Sequence, residues 1–547
     1  MNKKIYLSGL FMSGLFILAS CVDNNYDLDN IDTTSAIKVK DLIVPVNLET
    51  ITLDQVFDID DDPDNTITKF TYPDGTVVYA IKKEGSFDAD PVFVDRINAS
   101  EASIDALTIP VPSFLENQTF EIKDAITNYY YHISNVDSSV TGIKSLKMSE
   151  PMKINLQVES DGNAIDLDNV ILSIPETFVA EYRGIDINGG MISVGSLKNG
   201  SLEDPIIVKQ INFDDVDQTN GELNFEGEIG IVSATLSFNS TSATNLTARF
   251  TMSGFVVDQV SGSINYEIEA PEFESVSLDD LPDFLSESST NLIISNPQIY
   301  LYFSNPVNAP VYSGLSIISE REWENSDYVI NKSLEPFVNS LILAADINNL
   351  PLKSEYPNAV TQRVEELQNI LAGNGLPSKI NFALENTFVK GDIYDLQLGQ
   401  DLSFYGNYTF FTPLALGAGS KIVYSDEEKD LFGDDVKDVK IESFQLTAYP
   451  KTNLPFAVIL EASPLDKDGN VIKGSNGSEI KAYSSIPAYA DGSSQLDLNF
   501  NESFKGLDGV KFSVTVDVQN DESLNPEQFI KLEKIRAKIS GEYVTDF

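Results

Sequence analysis

The chain has 547 residues, of which 36 are basic, 84 are acidic and one is histidine, so its formal net charge at pH 7 is −48. Nucleic-acid phosphates and anionic lipid headgroups repel a protein this acidic, which excludes nucleic acid as a partner and membrane binding through basic residues. One cysteine and one histidine also exclude an intrachain disulfide and a multi-histidine metal site.

The first twenty residues have the pattern of a secretory signal. Two lysines precede an apolar run from Ile5 to Leu18, which is too short for a membrane-spanning helix. The run LASC at residues 18–21 resembles the lipobox of bacterial lipoproteins. That resemblance implies that residues 1–20 are removed and that the Cys21 sulfur carries a diacylglycerol. Removal of 20 of the 547 residues leaves 527, and the two lost lysines change the net charge from −48 to −50.

Residues 21–36 are polar and acidic, which predicts a flexible tether. The aspartates of this tether resemble the acidic export signal of Bacteroidota surface lipoproteins. The resemblance implies anchoring in the outer membrane with the protein facing the cell exterior, and the periplasmic face is the alternative. Asp32-Thr33-Thr34 is similar to the O-glycosylation motif of that phylum, which makes Thr33 a candidate acceptor.

From residue 37 onward, alternating apolar and polar residues predict strands. Examples are Ile154–Val158, Phe512–Val516 and Ile535–Ile539. Turn signals such as Pro73-Asp74-Gly75 separate the apolar runs. Apolar residues form 42% of the chain, enough to stabilise a fold by packing alone. The sequence therefore predicts an all-β, mainly antiparallel fold of several β-sandwich-like domains with few short helices.

The predicted main boundary follows a short helical turn within residues 277–285, because an acidic and serine-rich stretch comes next. This boundary divides the chain into an N-terminal β-rich region, residues 37–285, which is long enough for two domains, and a C-terminal β-rich region, residues 291–547.

A helical insertion is predicted near residues 334–373. Residues 334–345 are apolar enough to form either a buried helix or a strand. Residues 359–372 have helical spacing, which predicts a helix with four apolar positions on one face: Val360, Val364, Leu367 and Leu371.

The densest acidic stretch holds six aspartates within residues 54–64. Calcium prefers several carboxylate oxygens, so Asp58, Asp60 and Asp62 are candidate ligands. The stretch does not follow the EF-hand template, since Pro63 occupies the glycine position. A solvated acidic loop and an irregular calcium site both remain open, and calcium is the only cofactor indicated.

Four other segments have both a structural and a functional interpretation. Tyr129–His132 offers aromatic rings on both faces of a strand, for the core or for a ligand. Trp323, the only tryptophan, could stack on a sugar or pack against its own domain. Asp466–Asn470 has the start of a calcium-loop pattern, but a hairpin turn explains the same residues. Asp426–Asp438 is predicted to be an exposed acidic loop.

The sequence contains no phosphate-binding glycine loop, no Gly-x-Ser-x-Gly elbow and no His-Glu-x-x-His run, which favours a non-enzymatic role. The leading interpretation is a lipid-anchored outer-membrane β-domain protein that serves in binding, adhesion or envelope structure. The alternative is an accessory glycan-binding lipoprotein of a polysaccharide-uptake system, and a third is a carboxylate-dependent glycoside hydrolase. The expected partners are thus the membrane, through the lipid, and a glycan or another surface protein. Glycan binding predicts exposed aromatic rings on one sheet face, whereas hydrolysis predicts two carboxylates about 5 to 10 Å apart in a cleft.

Overall fold

The computed structural model of the chain describes residues 34–45, 50–57, 66–113, 118–187, 189–237, 244–269, 271–278, 280–321, 327–432, 436, 438–519 and 522–546. Within these ranges most of the backbone is strand, and side chains along the strands alternate between the core and solvent. Residues 152–158 illustrate the pattern, with Ile154, Leu156 and Val158 buried and the residues between them exposed.

The strands up to residue 277 are β1 (Thr34–Pro45), β2 (Ile51–Thr52), β3 (Ile67–Thr71), β4 (Val77–Asp88), β5 (Val92–Phe93), β6 (Ile97–Ala99), β7 (Ser103–Ile104), β8 (Leu107–Val111), β9 (Thr119–Ile133), β10 (Val140–Ser160), β11 (Asn163–Ala164), β12 (Leu167–Ser173), β13 (Phe178–Tyr182), β14 (Ile185–Ile187), β15 (Met191–Leu197), β16 (Ile206–Asp217), β17 (Leu223–Ser237), β18 (Thr244–Met252), β19 (Phe255–Glu267), β20 (Glu272–Phe273) and β21 (Val276–Ser277).

The strands from residue 291 onward are β22 (Asn291–Leu292), β23 (Gln298–Ser304), β24 (Val311–Glu320), β25 (Tyr328–Ser333), β26 (Ser340–Ala344), β27 (Val360–Arg363), β28 (Gly373–Asn374), β29 (Lys379–Gln397), β30 (Asp401–Leu402), β31 (Tyr405–Pro413), β32 (Ala415–Leu416), β33 (Lys421–Glu428), β34 (Val439–Thr452), β35 (Val458–Leu465), β36 (Ala482–Ile486), β37 (Leu496–Phe500), β38 (Gly509–Asp517), β39 (Glu522–Ser523) and β40 (Phe529–Asp546). The described helices are α1 (Leu53–Val56), α2 (Asp283–Ser286) and the 3₁₀ helices Lys353–Glu355 and Glu365–Asn369.

The first sandwich packs a five-stranded sheet, β15–β12–β17–β9–β7, against strands β10, β13, β16, β18 and β19. Aromatic rings join the two layers. The ring of Tyr131 on β9 lies 5.4 Å from that of Phe255 on β19, and Phe225 on β17 lies 5.3 Å from Phe213 on β16. These contacts place the core of this region between the sheets.

The central part of the chain is built from two further layers. One runs β3–β4–β31–β23–β26–β27, in which only the last pair is parallel. The other runs β25–β24–β29–β19. The ring of Phe382 on β29 lies 5.3 Å from Tyr408 and 6.3 Å from Phe410, both on β31, so the two layers pack face to face.

A C-terminal sandwich completes the fold. One sheet has the order β1–β40–β34–β37, with β2 also paired to β40, and the other has the order β28–β22–β33–β38–β35–β36. Ile539 and Leu460 are buried side chains from the two sheets, and both belong to the same core. Strand β1 pairs antiparallel with β40, so the strand that follows the N-terminal segment is part of the C-terminal sheet. We call these two sheets the C-terminal sandwich.

The all-β, mainly antiparallel fold class is confirmed. Sheets also cross the predicted boundary, because β19 pairs with β29 and β4 pairs with β31. The division into residues 37–285 and 291–547 stays a prediction. The short helical turn expected within residues 277–285 corresponds to α2, which begins at Asp283.

The helix predicted over residues 359–372 is wrong, and with it the helical insertion near 334–373. Residues 360–363 form β27, which pairs in parallel with β26, and only Glu365–Asn369 form a 3₁₀ helix. Val364, Leu367 and Leu371, which suggested one helical face, are buried. Val364 directly follows β27, Leu367 lies in the 3₁₀ helix and Leu371 lies just after it. The open alternative at residues 334–345 is resolved as strand for Ser340–Ala344.

Helix α1 is fixed to the neighbouring hairpin through Asp54. Its two carboxylate oxygens accept hydrogen bonds from the Tyr79 hydroxyl at 2.5 Å and from the Lys69 ammonium at 2.8 Å. Burial acts to raise the pKa of Asp54, but the hydrogen bonds from Lys69 and Tyr79 and the lysine charge outweigh it. The pKa therefore lies below its ordinary value.

Asp54→Asn should lower stability at pH 7 by about 0.5 to 1 kcal/mol, the range of a solvent-screened pair. Since the pKa of the folded carboxyl is lowered, its stabilisation is present at neutral pH and is lost as the pH falls through that pKa. Calorimetric unfolding at pH 7 and pH 3 should show the difference from the parent shrinking in acid. Asp105→Asn, at an exposed aspartate between β7 and β8, controls for the loss of one charge. An equal difference at both pH values would contradict the prediction.

Candidate functional site

Several residues predicted to have a function lie outside the described residues. These are Cys21, Thr33, the calcium candidates Asp58, Asp60 and Asp62, and Trp323. Lipidation, glycosylation and calcium binding stay predictions. Among the described residues no group of three or more His, Cys, Asp or Glu side chains is placed to hold a metal ion. No helix in the described ranges is long and apolar enough to cross a membrane.

The Tyr129–His132 segment divides its side chains between core and solvent. Tyr129 and Tyr131 are buried in the first sandwich, and burial raises the pKa of both hydroxyls. Tyr130 is 44% exposed, and its hydroxyl donates to Asn224 Oδ1 at 2.7 Å. The same oxygen lies 2.7 Å from His132 Nδ1. The alternation is confirmed, and two of the three tyrosines are buried in the core.

The two acidic segments near the C-terminus also have defined structures. Asp466–Asn470 forms the predicted turn, in which Gly469 N–H donates to the Asp466 carbonyl at 3.0 Å and Gly469 has φ of +82°. The backbone N–H of Asn470 helps to hold the pKa of Asp466 below its ordinary value. The loop predicted over Asp426–Asp438 is wrong at its start, because β33 stays paired with β38 as far as Glu428.

The strongest candidate binding surface is the outer face of the central layer formed by β4, β31 and β23. Asn407 is directly opposite Ser86 on one side and Tyr302 on the other, so the three side chains share a face. Thr409 pairs with Glu84 on the same face, and Tyr405 continues the row. Tyr302 is 41% exposed and Tyr405 is 55% exposed. Two aromatic rings are therefore open to solvent beside an amide, hydroxyls and a carboxylate.

The connection between β26 and β27 covers the other part of this face. Leu352 is buried there with Tyr300 of β23, and the ring of Tyr356 lies 5.2 Å from that of Tyr300. The Tyr356 hydroxyl reaches Thr409 Oγ1 at 3.3 Å. This packing holds the Tyr356 side chain beside the part of the sheet face that the connection leaves uncovered.

An open groove of about 480 Å³ lies between the covering segment and the sheet. We call it the central groove, and the side chains that define it are Glu84, Ser86, Glu355, Tyr356, Asn407 and Thr409. Glu274 also contributes to its lining. Lys82, on the same face of β4, pairs with Glu84 at 2.8 Å. The groove thus offers hydrogen-bond donors, acceptors and an aromatic wall in a volume suited to a small ligand or a few sugar units.

Sequence reasoning did not single out these residues. The alternation in Tyr300–Ser304 and in Tyr405–Thr409 is visible in the sequence, and it predicts that each set shares one face of a strand. Their meeting depends on the pairing of β23 with β31 and of β31 with β4, which are far apart in the chain. Periodicity carries no information about that pairing.

No family model matches the sequence, and no curated protein matches it. Among solved structures, one of a “putative secreted protein” from Parabacteroides distasonis is 13% identical, with a TM-score of 0.37, and covers 52% of this chain and 90% of that chain. The VP2 subviral particle of infectious bursal disease virus is 7% identical, with a TM-score of 0.08, over 88% of this chain and 83% of that chain. Likeness at these scores supports no argument about function.

Proposed function

We propose that this protein is a lipid-anchored protein of the bacterial outer membrane that binds a glycan without processing it. The observation that carries the proposal is the exposed row formed by Tyr302, Asn407 and Ser86, with Tyr405 beside it. Tyrosine rings give an apolar face on which a sugar ring can stack, and their hydroxyls remain free to hydrogen-bond. Of the interpretations drawn from the sequence, this arrangement fits the one of an accessory glycan-binding lipoprotein.

The polar side chains of the central groove suit the hydroxyl groups of a sugar. Asn407 both donates and accepts, Ser86 and Thr409 do the same, and the carboxylates of Glu84 and Glu355 accept. The net charge of −48 opposes an anionic polysaccharide at low ionic strength. The ligand class that fits best is therefore a neutral glycan.

The proposed anchor is the lipid on Cys21. Twelve residues separate Cys21 from Thr34, where β1 begins, and fully extended they would reach about 40 Å. Because β1 pairs with β40, the C-terminal sandwich would lie nearest to the membrane. Protease treatment of intact cells tests the outward orientation. Full resistance until the outer membrane is permeabilised would place the protein on the periplasmic face instead.

The glycan proposal is tested on an array with residues 22–547, which retain every described residue. The double substitution Tyr302→Ala and Tyr405→Ala should weaken binding of the best glycan by about tenfold or more, the combined effect of two lost stacking contacts. Tyr394→Ala, at a tyrosine of β29 that is 76% exposed, is the matched control and should leave binding unchanged. Unchanged binding in the double variant, equal loss in both variants, or no binding by the parent would refute the assignment of glycan binding to this sheet face.

The same array separates the remaining possibilities. Three glutamates line the groove, namely Glu84, Glu274 and Glu355. Release of reducing ends from a bound glycan would therefore support hydrolysis, and its absence would support binding alone.

The proposal also includes calcium binding by Asp58, Asp60 and Asp62, which is tested by comparing arrays run with calcium and with a chelator. If glycan binding is the same with calcium and with the chelator, and calorimetry detects no heat of calcium binding, calcium is not part of the proposed function.

A further inference from the structure

The outer face of one sheet in the C-terminal sandwich is rich in basic residues. On β40, Ile535, Ala537 and Ile539 are buried in the core, so the residues between them point to the outside of the sandwich. These two outward residues are basic and exposed. We call the outer face of β1, β40, β34 and β37 the basic face. Its exposed cations are Lys38, Lys440, Lys451, Lys534, Arg536 and Lys538.

Cross-strand contacts show that cations from three strands share this face. Lys38 on β1 and Lys440 on β34 both lie opposite Glu542 of β40, so one carboxylate lies between two lysines. The ammonium group of Lys534 lies 5.2 Å from the centre of the Tyr449 ring on β34. The positive charge is therefore spread across the sheet and is not confined to one strand.

The basic face reverses the charge balance of the chain. Among the side chains that the structure describes on this face, the six exposed cations and the half-buried Lys531 outnumber the carboxylates. Those carboxylates belong to Glu442, Asp497, Glu533 and Glu542. In the whole chain 84 acidic residues outnumber 36 basic ones. At physiological ionic strength, charges more than about 8 Å apart are largely screened, so a surface that touches this face experiences the local positive charge.

The basic face also includes the strand that follows the proposed tether. Lys38 lies in β1, which begins at Thr34. Ile43 on the same strand is opposite Lys538 and is 58% exposed, so an apolar side chain lies beside the cations. Lysines and arginines are attracted to lipid phosphates, and apolar side chains beside them can enter the headgroup region. This combination suits contact with a membrane surface.

We propose that the basic face lies against the anionic phosphates of the membrane surface and sets the orientation of the lipid-anchored protein. The inference rests on the proposed lipid anchor, because the net charge of −48 opposes recruitment to an anionic surface from solution. Once a lipid holds the protein there, each Lys or Arg that reaches the surface favours contact by about fivefold. The lipid then provides attachment, and the basic face decides which side of the C-terminal sandwich meets the membrane.

The test couples residues 21–547 to vesicles through the Cys21 thiol and a lipid with a maleimide headgroup. Cys21 is the single cysteine, so the lipid reacts there alone. The coupling replaces the proposed anchor whether or not cells lipidate this residue, and palmitate labelling of cells tests the anchor separately. Acetylation of lysines by a water-soluble reagent, followed by mass spectrometry, then reports which side chains the vesicle covers.

The expected result is protection of the basic face on anionic vesicles. Lys38, Lys440 and Lys534 should react about fivefold more slowly on vesicles of equal parts phosphatidylglycerol and phosphatidylcholine than on phosphatidylcholine alone. Lys123 of β9 and Lys198, which follows β15, are exposed lysines of the first sandwich and should react equally on both.

Three results would overturn the proposal. The first is equal reactivity of the face on the two kinds of vesicle, or slower reaction of the first-sandwich lysines as well. The second is protection by inorganic phosphate on phosphatidylcholine vesicles, which would assign the face to free phosphate. The third is protection that persists in molar salt, because contact between charges at a surface is screened there.

A charge-reversal variant locates the contact. Lys534→Glu with Arg536→Glu replaces two exposed cations by carboxylates, so the other lysines of the basic face should lose their protection. Lys123→Glu with Lys198→Glu makes the same change of charge on the first sandwich and should leave the protection unchanged. If calorimetry shows that the first variant does not fold, Lys534→Gln with Arg536→Gln decides the question. Protection that stays at the parent's level in the folded variant would overturn the role of these cations.

Discussion

Cys21→Ser should abolish incorporation of labelled palmitate and should move the protein from the detergent phase to the aqueous phase in Triton X-114 partitioning. Cys21 is the single cysteine of the chain, so no other thiol can take its place. Each buried CH₂ of an acyl chain contributes about 0.8 kcal/mol to membrane affinity, and stable anchoring takes two signals or chains. In the proposed lipoprotein, loss of the thiol would remove all of these chains at once, so the effect should be all or none.

Ser20→Ala is the matched control, because it keeps a small residue before the cysteine and preserves the lipobox pattern. This variant should incorporate palmitate as the parent does. Palmitate labelling that persists in Cys21→Ser, or detergent partitioning that is equal in both variants, would contradict lipidation at this residue. The alternative of membrane contact through charge is already disfavoured by 84 acidic against 36 basic residues.

The fold class was predictable because burial imposes a period of two on a strand that has one face in the core. Ile154–Val158 lies in β10, Phe512–Val516 in β38 and Ile535–Ile539 in β40, and each shows that alternation. The helix over residues 359–372 was predicted wrongly for a definite reason. Val360 and Val364 are spaced as on a helix, but pairing with β26 draws this segment into a parallel strand. Tertiary pairing outweighed the local pattern.

The candidate sites were less predictable, since they depend on which strands become neighbours. The exposed row on the central layer needs Asn407 to lie opposite Tyr302 on one side and opposite Ser86 on the other. Neither of these cross-strand pairings can be predicted from local composition. What the sequence does contain is the alternation of Tyr405, Asn407 and Thr409 along β31, which places these three side chains on one face of the strand. Residue chemistry was predictable, but the meeting of distant strands was not.

Gly262→Ala should be strongly destabilising, because β19 lies against β10 at this point with no space for a side chain. A Cβ on Gly262 would lie 2.0 Å from the carbonyl oxygen of Gly142 and 3.0 Å from the Cα of Ile143. Both atoms belong to the backbone, which cannot move aside without breaking the β10–β19 ladder. We expect a loss of at least about 1 to 3 kcal/mol in the free energy of unfolding, the usual cost of overpacking.

Gly314→Ala is the matched control, since Gly314 lies in β24, which pairs with β29 as β19 does. Its nearest neighbour would be the Glu385 carbonyl oxygen at 3.4 Å, an ordinary contact. Alanine there should be neutral or stabilising by up to about 1 kcal/mol, because it restricts the unfolded chain. Thermal unfolding followed by calorimetry measures both variants, and equal melting temperatures for them would contradict the close approach of β10 and β19.

The calorimetric profile of Gly262→Ala also tests how the first sandwich and the central layers depend on each other. Strand β19 pairs with β10 in the first sandwich and with β29 in the central layers. A shared strand cannot leave one ladder without weakening the other, so unfolding of these two regions should be coupled. We expect the variant to lower the melting temperature of both together, while the C-terminal sandwich, which contains neither β10 nor β29, should melt as in the parent. A shift confined to the first sandwich would show that the two ladders open independently at β19.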